Sequence, residues 1–201
     1  MIKISILLLT HNRPFLFSRC LEAILPQLTN EVEVIVNNDS NDIVEVNHPS
    51  IRYFYNSYDN LSLVYKFLLE SANGQYVYYA EDDDYLTTNI VKHWLIWINN
   101  YDLLVGNFYP TYRNVVEDKT FWSKVRMFSE DGLYFLDKEL LQLSQYVFKK
   151  ELITNFDFPM NSDIHNDILI VEYALSNTTK IKTTNKIFYY QTTDGGDNLS
   201  F

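Results

Sequence analysis

The chain has 201 residues, of which 47% are hydrophobic and 21% charged, and a formal net charge of −10. That length suits one domain with its own core, and the composition excludes disordered and fibrous classes. The acidic balance argues against general contact with nucleic acid or an anionic membrane, since both draw affinity from lysine and arginine.

Lys3 to Leu9 is a nearly unbroken apolar run with β-branched members, the pattern of a buried strand, and Thr10-His11-Asn12-Arg13 follows as a loop. The start Met1 to Ile4 lacks signal-peptide flanks, and no apolar run reaches the roughly 18 residues of a membrane span, so a cytoplasmic protein is expected. Pro14 suits a first helical turn, and Phe17, Cys20, Leu21, Ile24 and Leu25 recur at helical spacing before Pro26 closes the element. Cys20, the one cysteine, is expected as a buried structural thiol on that face and excludes an internal disulfide. Glu33 to Val36 reads as a second strand ending in the turn-rich segment Asn37 to Asp42, and Ile51 to Tyr55 as a third.

Asn60 can cap a helix running to Asn73, with Leu61, Val64, Phe67, Leu68 and Ala72 inward and Gly74 past its end. Tyr76 to Ala80 is a fourth strand, entering Glu81-Asp82-Asp83-Asp84, and a helix through His93 to Ile98 follows. Further strands are expected at Leu103 to Tyr109, Tyr146 to Lys149 and Lys182 to Tyr190, with a helix at Ile164 to Leu175. In that helix Ile164, Ile168, Val171 and Leu175 form the expected buried stripe, with Asp163 and Asp167 on a neighbouring face. Pro110 to Gln142 has the weakest periodicity and is where acceptor contacts are expected. Alternating strands and helices predict an α/β fold with a mostly parallel central sheet flanked by helices. Ligands in such sheets bind beyond the carboxyl ends of the strands, where the three polar segments fall.

Four consecutive acids at a strand end repel one another unless solvent or a cation compensates. Mg²⁺ and Mn²⁺ favour oxygen ligands, and Mg²⁺ commonly takes one or two carboxylates plus substrate phosphates. An Asp-X-Asp pair in such a loop would serve.

The order of the segments ISILLLTHNRP, VEVIVNNDSND and NGQYVYYAEDDDYL resembles glycosyltransferase family 2, whose members have the GT-A fold. The segments resemble, in turn, the family's opening strand with its Thr-Tyr-Asn-Arg loop, its Val-Asp-Asp-Gly-Ser segment, and the strand leading to its metal motif. The resemblance implies a nucleotide-sugar-binding half over 1–100 and an acceptor and catalytic-base half over 101–201. It implies that Thr10, Asn12, Arg13 and Asn38 line the nucleotide site. Asp83 would be the direct metal ligand, and Glu81 and Asp82 would contact ribose, water or metal. HNDILIVEYAL resembles the family's base-bearing helix and places the general base on Asp167, with Asp163 as the alternative.

YYQTTDGGDNLS resembles the closing segment that folds over the donor. It has Gln191, Thr193 and Asp194 where arginine and histidine are usual, which leaves Asp194 as a substitute metal contact. His11 stands where tyrosine is usual, Asn37-Asn38 replaces an Asp-Asp pair that accepts from the base, and Asn166 replaces a glutamate. The implied activity is inverting transfer of a sugar from a UDP-sugar, with Mn²⁺ or Mg²⁺, to a hydroxyl acceptor. A glycan is the expected acceptor, and the charge weighs against nucleic acid. A sugar-1-phosphate nucleotidylyltransferase is a second reading, weakened by the lack of a glycine-rich phosphate loop after the first strand. A non-catalytic nucleotide-sugar-binding module is a third.

Overall fold

A computed structural model of the chain describes residues 1–40, 45–112, 115–116, 142–159 and 166–192. Its first strands, β1 (Ile4–Thr10) and β2 (Val32–Asn38), are buried at every position. Continuous apolar runs behave this way when both faces of a parallel sheet are covered. Ile4, Ile6 and Leu8 join the core formed with α1 (Pro14–Ile24) and α3 (Ile90–Trp97). Leu7 and Leu9 join the core on the other face, with α2 (Leu61–Ser71) and α5 (Asn166–Ser176).

The remaining strands are β3 (Ile51–Phe54), β4 (Tyr76–Glu81), β5 (Tyr85–Leu86), β6 (Leu103–Tyr112), β7 (Val115–Val116), β8 (Tyr146–Lys149) and β9 (Ile181–Thr192), and α4 (Lys150–Ile153) follows β8. Among the described residues the sheet order is β3-β2-β1-β4-β8-β6-β9-β5, with β7 against β6. The block β3-β2-β1-β4 is parallel throughout, as expected. Beyond it the sheet is mixed: β8 is antiparallel to both β4 and β6, β9 is parallel to β6, and β5 is antiparallel to β9.

From β1 the chain builds outward through β2 and β3, then returns to place β4 on β1's other side. The reversal makes the carboxyl ends of β1 and β4 a topological switch point, where a crevice opens in sheets of this kind. Two of the polar segments singled out in the sequence, Thr10 to Arg13 and Glu81 to Asp84, stand at those two ends.

The opposite, amino end of the sheet carries a buried polar hub. Glu33 Oε1 accepts from Ser5 Oγ at 2.6 Å and from the Asn73 N–H at 2.7 Å, and Oε2 accepts from Asn73 Nδ2 at 3.0 Å and Arg52 Nη2 at 3.1 Å. Burial alone would push the Glu33 carboxyl up, but the Ser5 and Asn73 hydrogen bonds and the Arg52 charge together hold it below its ordinary value.

Local signals act largely as read. Pro14 opens α1, and Asn60 Oδ1 accepts from the Ser62 N–H at 2.7 Å to cap α2. Gly74 differs from expectation. It has no positive φ and does not cap the helix; a Cβ there would lie 2.6 Å from the Ser5 nitrogen, so glycine is required by the close approach of β1. The buried positions of α5 are Ile170, Val171 and Ala174, while Ile168 and Leu175 are only partly buried, so the expected stripe is rotated. No helix among the described residues is long and apolar enough to cross a membrane.

Candidate functional site

The acidic run begins on the last residue of β4 and turns at once, the Asp84 N–H donating to the Glu81 carbonyl at 3.2 Å. The turn gives the four acids different surroundings: Glu81 is exposed, Asp83 partly so, and Asp82 and Asp84 are buried. Asp82 points back toward β1, where Thr10 Oγ1 donates to its Oδ2 at 2.9 Å and Arg13 Nη1 to its Oδ1 at 3.3 Å. Burial, then the Asp83 charge, push the Asp82 carboxyl up to about 6 against the opposing pull of Thr10, Arg13 and the His11 N–H. Arg13 Nη1 also donates to Asp83 Oδ2 at 3.0 Å. Thr10, Arg13, Asp82 and Asp83 are thus one network, in which Thr10 and Arg13 brace the acidic run.

Glu81, Asp83 and Asp84 each present a carboxylate oxygen, and the three oxygens lie within 4.8 Å of one another. Asp84 is pushed well above its ordinary value, first by burial and then by the charges of Glu81 and Asp83. A set of hard oxygen donors whose negative charge Arg13 and Arg19 offset only in part fits Mg²⁺ or Mn²⁺. The sequence marks Asp84 only as part of the run; its place in the triad depends on Thr192, whose N–H donates to Asp84 Oδ1 at 2.9 Å. Arg19 of α1 lies alongside. Its Nη2 donates to the Asp83 carbonyl at 2.5 Å and to Thr192 Oγ1 at 2.6 Å, and its guanidinium sits 5.0 Å over the Tyr85 ring. No motif in the sequence points to Arg19.

The ends of β1 and β2 are joined beside this network. Asn12 is exposed and left-handed, with φ 50°, a conformation asparagine tolerates better than most residues, and its N–H donates to Ser40 Oγ at 3.1 Å. Asn12 Nδ2 meets His11 Nε2 at 2.9 Å and His11 Nδ1 meets Asp39 Oδ1 at 2.5 Å. With the amide donating to Nε2, Nδ1 carries the proton that Asp39 accepts. Asn38 is buried and closed on its own turn: its Oδ1 accepts from the Ser40 N–H at 3.0 Å and the Ser40 hydroxyl at 2.8 Å, and its Nδ2 donates to the Ser40 carbonyl. Asp167 falls in the first turn of α5, and its side chain lies outside the described residues, as do Asp163, Asp194 and most of the segment from Pro110 to Gln142.

The family model described as glycosyl transferase family 2 matches residues 5–154. The chain belongs to glycosyltransferase family 2. No curated protein matches it in sequence. Its mixed α/β sheet with flanking helices matches that of GT-A glycosyltransferases of known structure. S. aureus TarS, residues 1–349, in complex with UDP-GlcNAc superposes with a TM-score of 0.75 at 17% identity, over 98% of this chain and 60% of that one. The mannosyltransferase PcManGT from Pyrobaculum calidifontis, in complex with GDP-Man and Mn²⁺, gives 0.63 at 12% identity, over 94% of this chain and 56% of that one. The family 2 chain described here therefore spans about three fifths of the length of the TarS chain it matches.

Proposed function

We propose that the chain is a metal-dependent, inverting glycosyltransferase that moves a sugar from a nucleoside diphosphate sugar, UDP-linked, to a hydroxyl of an acceptor glycan. The observation that carries this reading is the Glu81, Asp83 and Asp84 triad at the β1–β4 switch point. A divalent ion held there supplies one chemistry, neutralisation of the diphosphate as it leaves. The UDP-GlcNAc and GDP-Man complexes of the two structural neighbours support a nucleotide-sugar donor, and the Mn²⁺ in one of them supports the metal.

The chain's own residues do the remaining work. Arg13 and Thr10 fix Asp82 and Asp83. Asn12 and Asn38, at the ends of β1 and β2, border the nucleoside. Asp167 is the general base, taking the proton from the acceptor hydroxyl as that oxygen attacks the anomeric carbon, a role worth about 10²- to 10⁴-fold in rate. Asp163 is the alternative base and Asp194 an added metal contact.

Incubation with UDP-sugars and Mn²⁺ is expected to release free UDP, and EDTA to suppress the release. Pyrophosphate release from UTP and a sugar phosphate would instead identify a nucleotidylyltransferase, and donor binding without either product a binding module. Asp167→Asn is expected to lower turnover by about 10²-fold or more with donor affinity little changed. Near-normal turnover in that variant together with loss in Asp163→Asn would move the base to Asp163.

A further inference from the structure

The Asp83 carbonyl belongs to the peptide unit joining Asp83 to Asp84, so a donor that fixes it restrains the backbone carrying two members of the triad. Arg19 is that donor, and the same Nη2 also grips the Thr192 hydroxyl, while the Thr192 N–H holds Asp84 Oδ1. The loop is therefore held twice, once on its backbone and once on a carboxylate, and both restraints meet at the pair Arg19 and Thr192. The clasp rests on an aromatic row: Tyr85, beneath the guanidinium, stacks on Tyr190 at 5.0 Å, and Tyr190 meets Tyr109 edge-on at 6.2 Å. Tyr190 lies opposite both Tyr85 and Tyr109 in the strand registers, so the row crosses β5, β9 and β6.

From this geometry we infer that Arg19 is a positioning residue for the metal site: with Thr192 it sets the spacing of the Glu81, Asp83 and Asp84 carboxylates before an ion arrives. The inference rests on the metal-dependent reading above. Two physical effects of Arg19 on a bound cation have opposite signs, which makes it decidable. As a charge beside the triad, Arg19 repels a divalent ion, so its removal would tighten binding. As a clasp it preorganises the ligands, so its removal loosens binding; outer partners of metal ligands commonly cost tenfold or more in affinity when lost.

The test is Mn²⁺ titration by calorimetry, without nucleotide, on the wild type and on Arg19→Met, Arg19→Lys and Thr192→Val. Near-ultraviolet circular dichroism reports folding, and UDP affinity in EDTA serves as a metal-independent readout. Arg19→Met is expected to weaken Mn²⁺ binding by about tenfold. Thr192→Val, which keeps its N–H, should weaken it less, and Arg19→Lys should recover part of the loss; UDP affinity in EDTA should hold in all three. Equal or tighter Mn²⁺ binding by folded Arg19→Met would reduce Arg19 to a counter-charge and overturn the inference. If Arg19→Met does not fold, unchanged affinity in Thr192→Val overturns it instead. Failure of the wild type to bind Mn²⁺ would defeat the metal-dependent reading itself, a result distinct from any difference among the variants.

Discussion

At the amino end of the sheet, Glu33 is met by four hydrogen bonds and held below its ordinary pKa. At the carboxyl end Asp82 and Asp84, also buried, are pushed upward first by burial and then by neighbouring acids. The two ends share β1, and the balance differs: at Glu33 the donors and Arg52 outweigh burial, whereas at Asp82 and Asp84 burial and neighbouring acids outweigh the donors. A saturated buried carboxylate knits strands together, whereas a cluster with unbalanced charge costs stability that a bound cation can return. The comparison separates the part of the sheet that serves folding from the part that serves binding.

The largest expected effect is at the carboxyl end. Asp83→Asn should abolish Mn²⁺-dependent donor binding while leaving the far-ultraviolet circular dichroism and melting temperature close to wild type. Retained Mn²⁺-dependent affinity in calorimetry would take Asp83 out of the site. Glu33→Gln should do the reverse, costing about 2 kcal/mol of stability in urea unfolding, since it weakens hydrogen bonds to a buried charge. Its turnover per folded molecule should match wild type, and an unchanged unfolding midpoint would break the contrast.

A smaller effect, opposite in sign, is expected of Asp84→Asn. Replacing a buried acid whose ionisation is opposed by burial and by Glu81 and Asp83 should raise the metal-free melting temperature by about 2–4 °C, and the increment that Mn²⁺ adds should disappear. A lower melting temperature would mean that the Thr192 N–H already compensates the charge.

The smallest effect is in the pH profile of the metal-free protein. Asp82 has a folded-state value of about 6, above the unfolded value near 3.9. Its protonation therefore adds stability as the pH falls from about 6 toward about 4. Glu33 works the other way: its contribution is complete above its unfolded value near 4.3 and is lost as the pH falls further, through the lower folded value. Melting curves should thus rise and then fall on acidification, and Glu33→Gln should flatten the fall without altering the rise. A steady decline from pH 7 would contradict the surroundings described for Asp82.

Much of this was legible in the sequence because it is local. Apolar runs mark β1, β2 and β4, helical spacing with Pro14 and Asn60 marks α1 and α2, and adjacency alone marks the acidic run. What escaped reading depends on distant partners. The resemblance sets Asp83 apart from Asp82 as the metal ligand, but nothing local shows that Thr10, 72 residues away, claims Asp82. Asp84 is placed by Thr192, 108 residues later, and Arg19 by the same residue. The two-residue strand β5 is too short to show any period and exists because Tyr85 and Leu86 pair with β9.

Cys20 sits beneath the acidic turn, its thiol directed at the Glu81 carbonyl at 3.5 Å, and burial followed by the nearby aspartates pushes its pKa well up. It is also the only thiol in the sequence. A disulfide reagent can therefore modify this sequence at one position alone, and only when the packing around Cys20, the acidic turn included, opens. The labelling rate becomes a clock for that opening: it should be slow in the native protein, slower with Mn²⁺, and should read the loop's motions without any engineered probe.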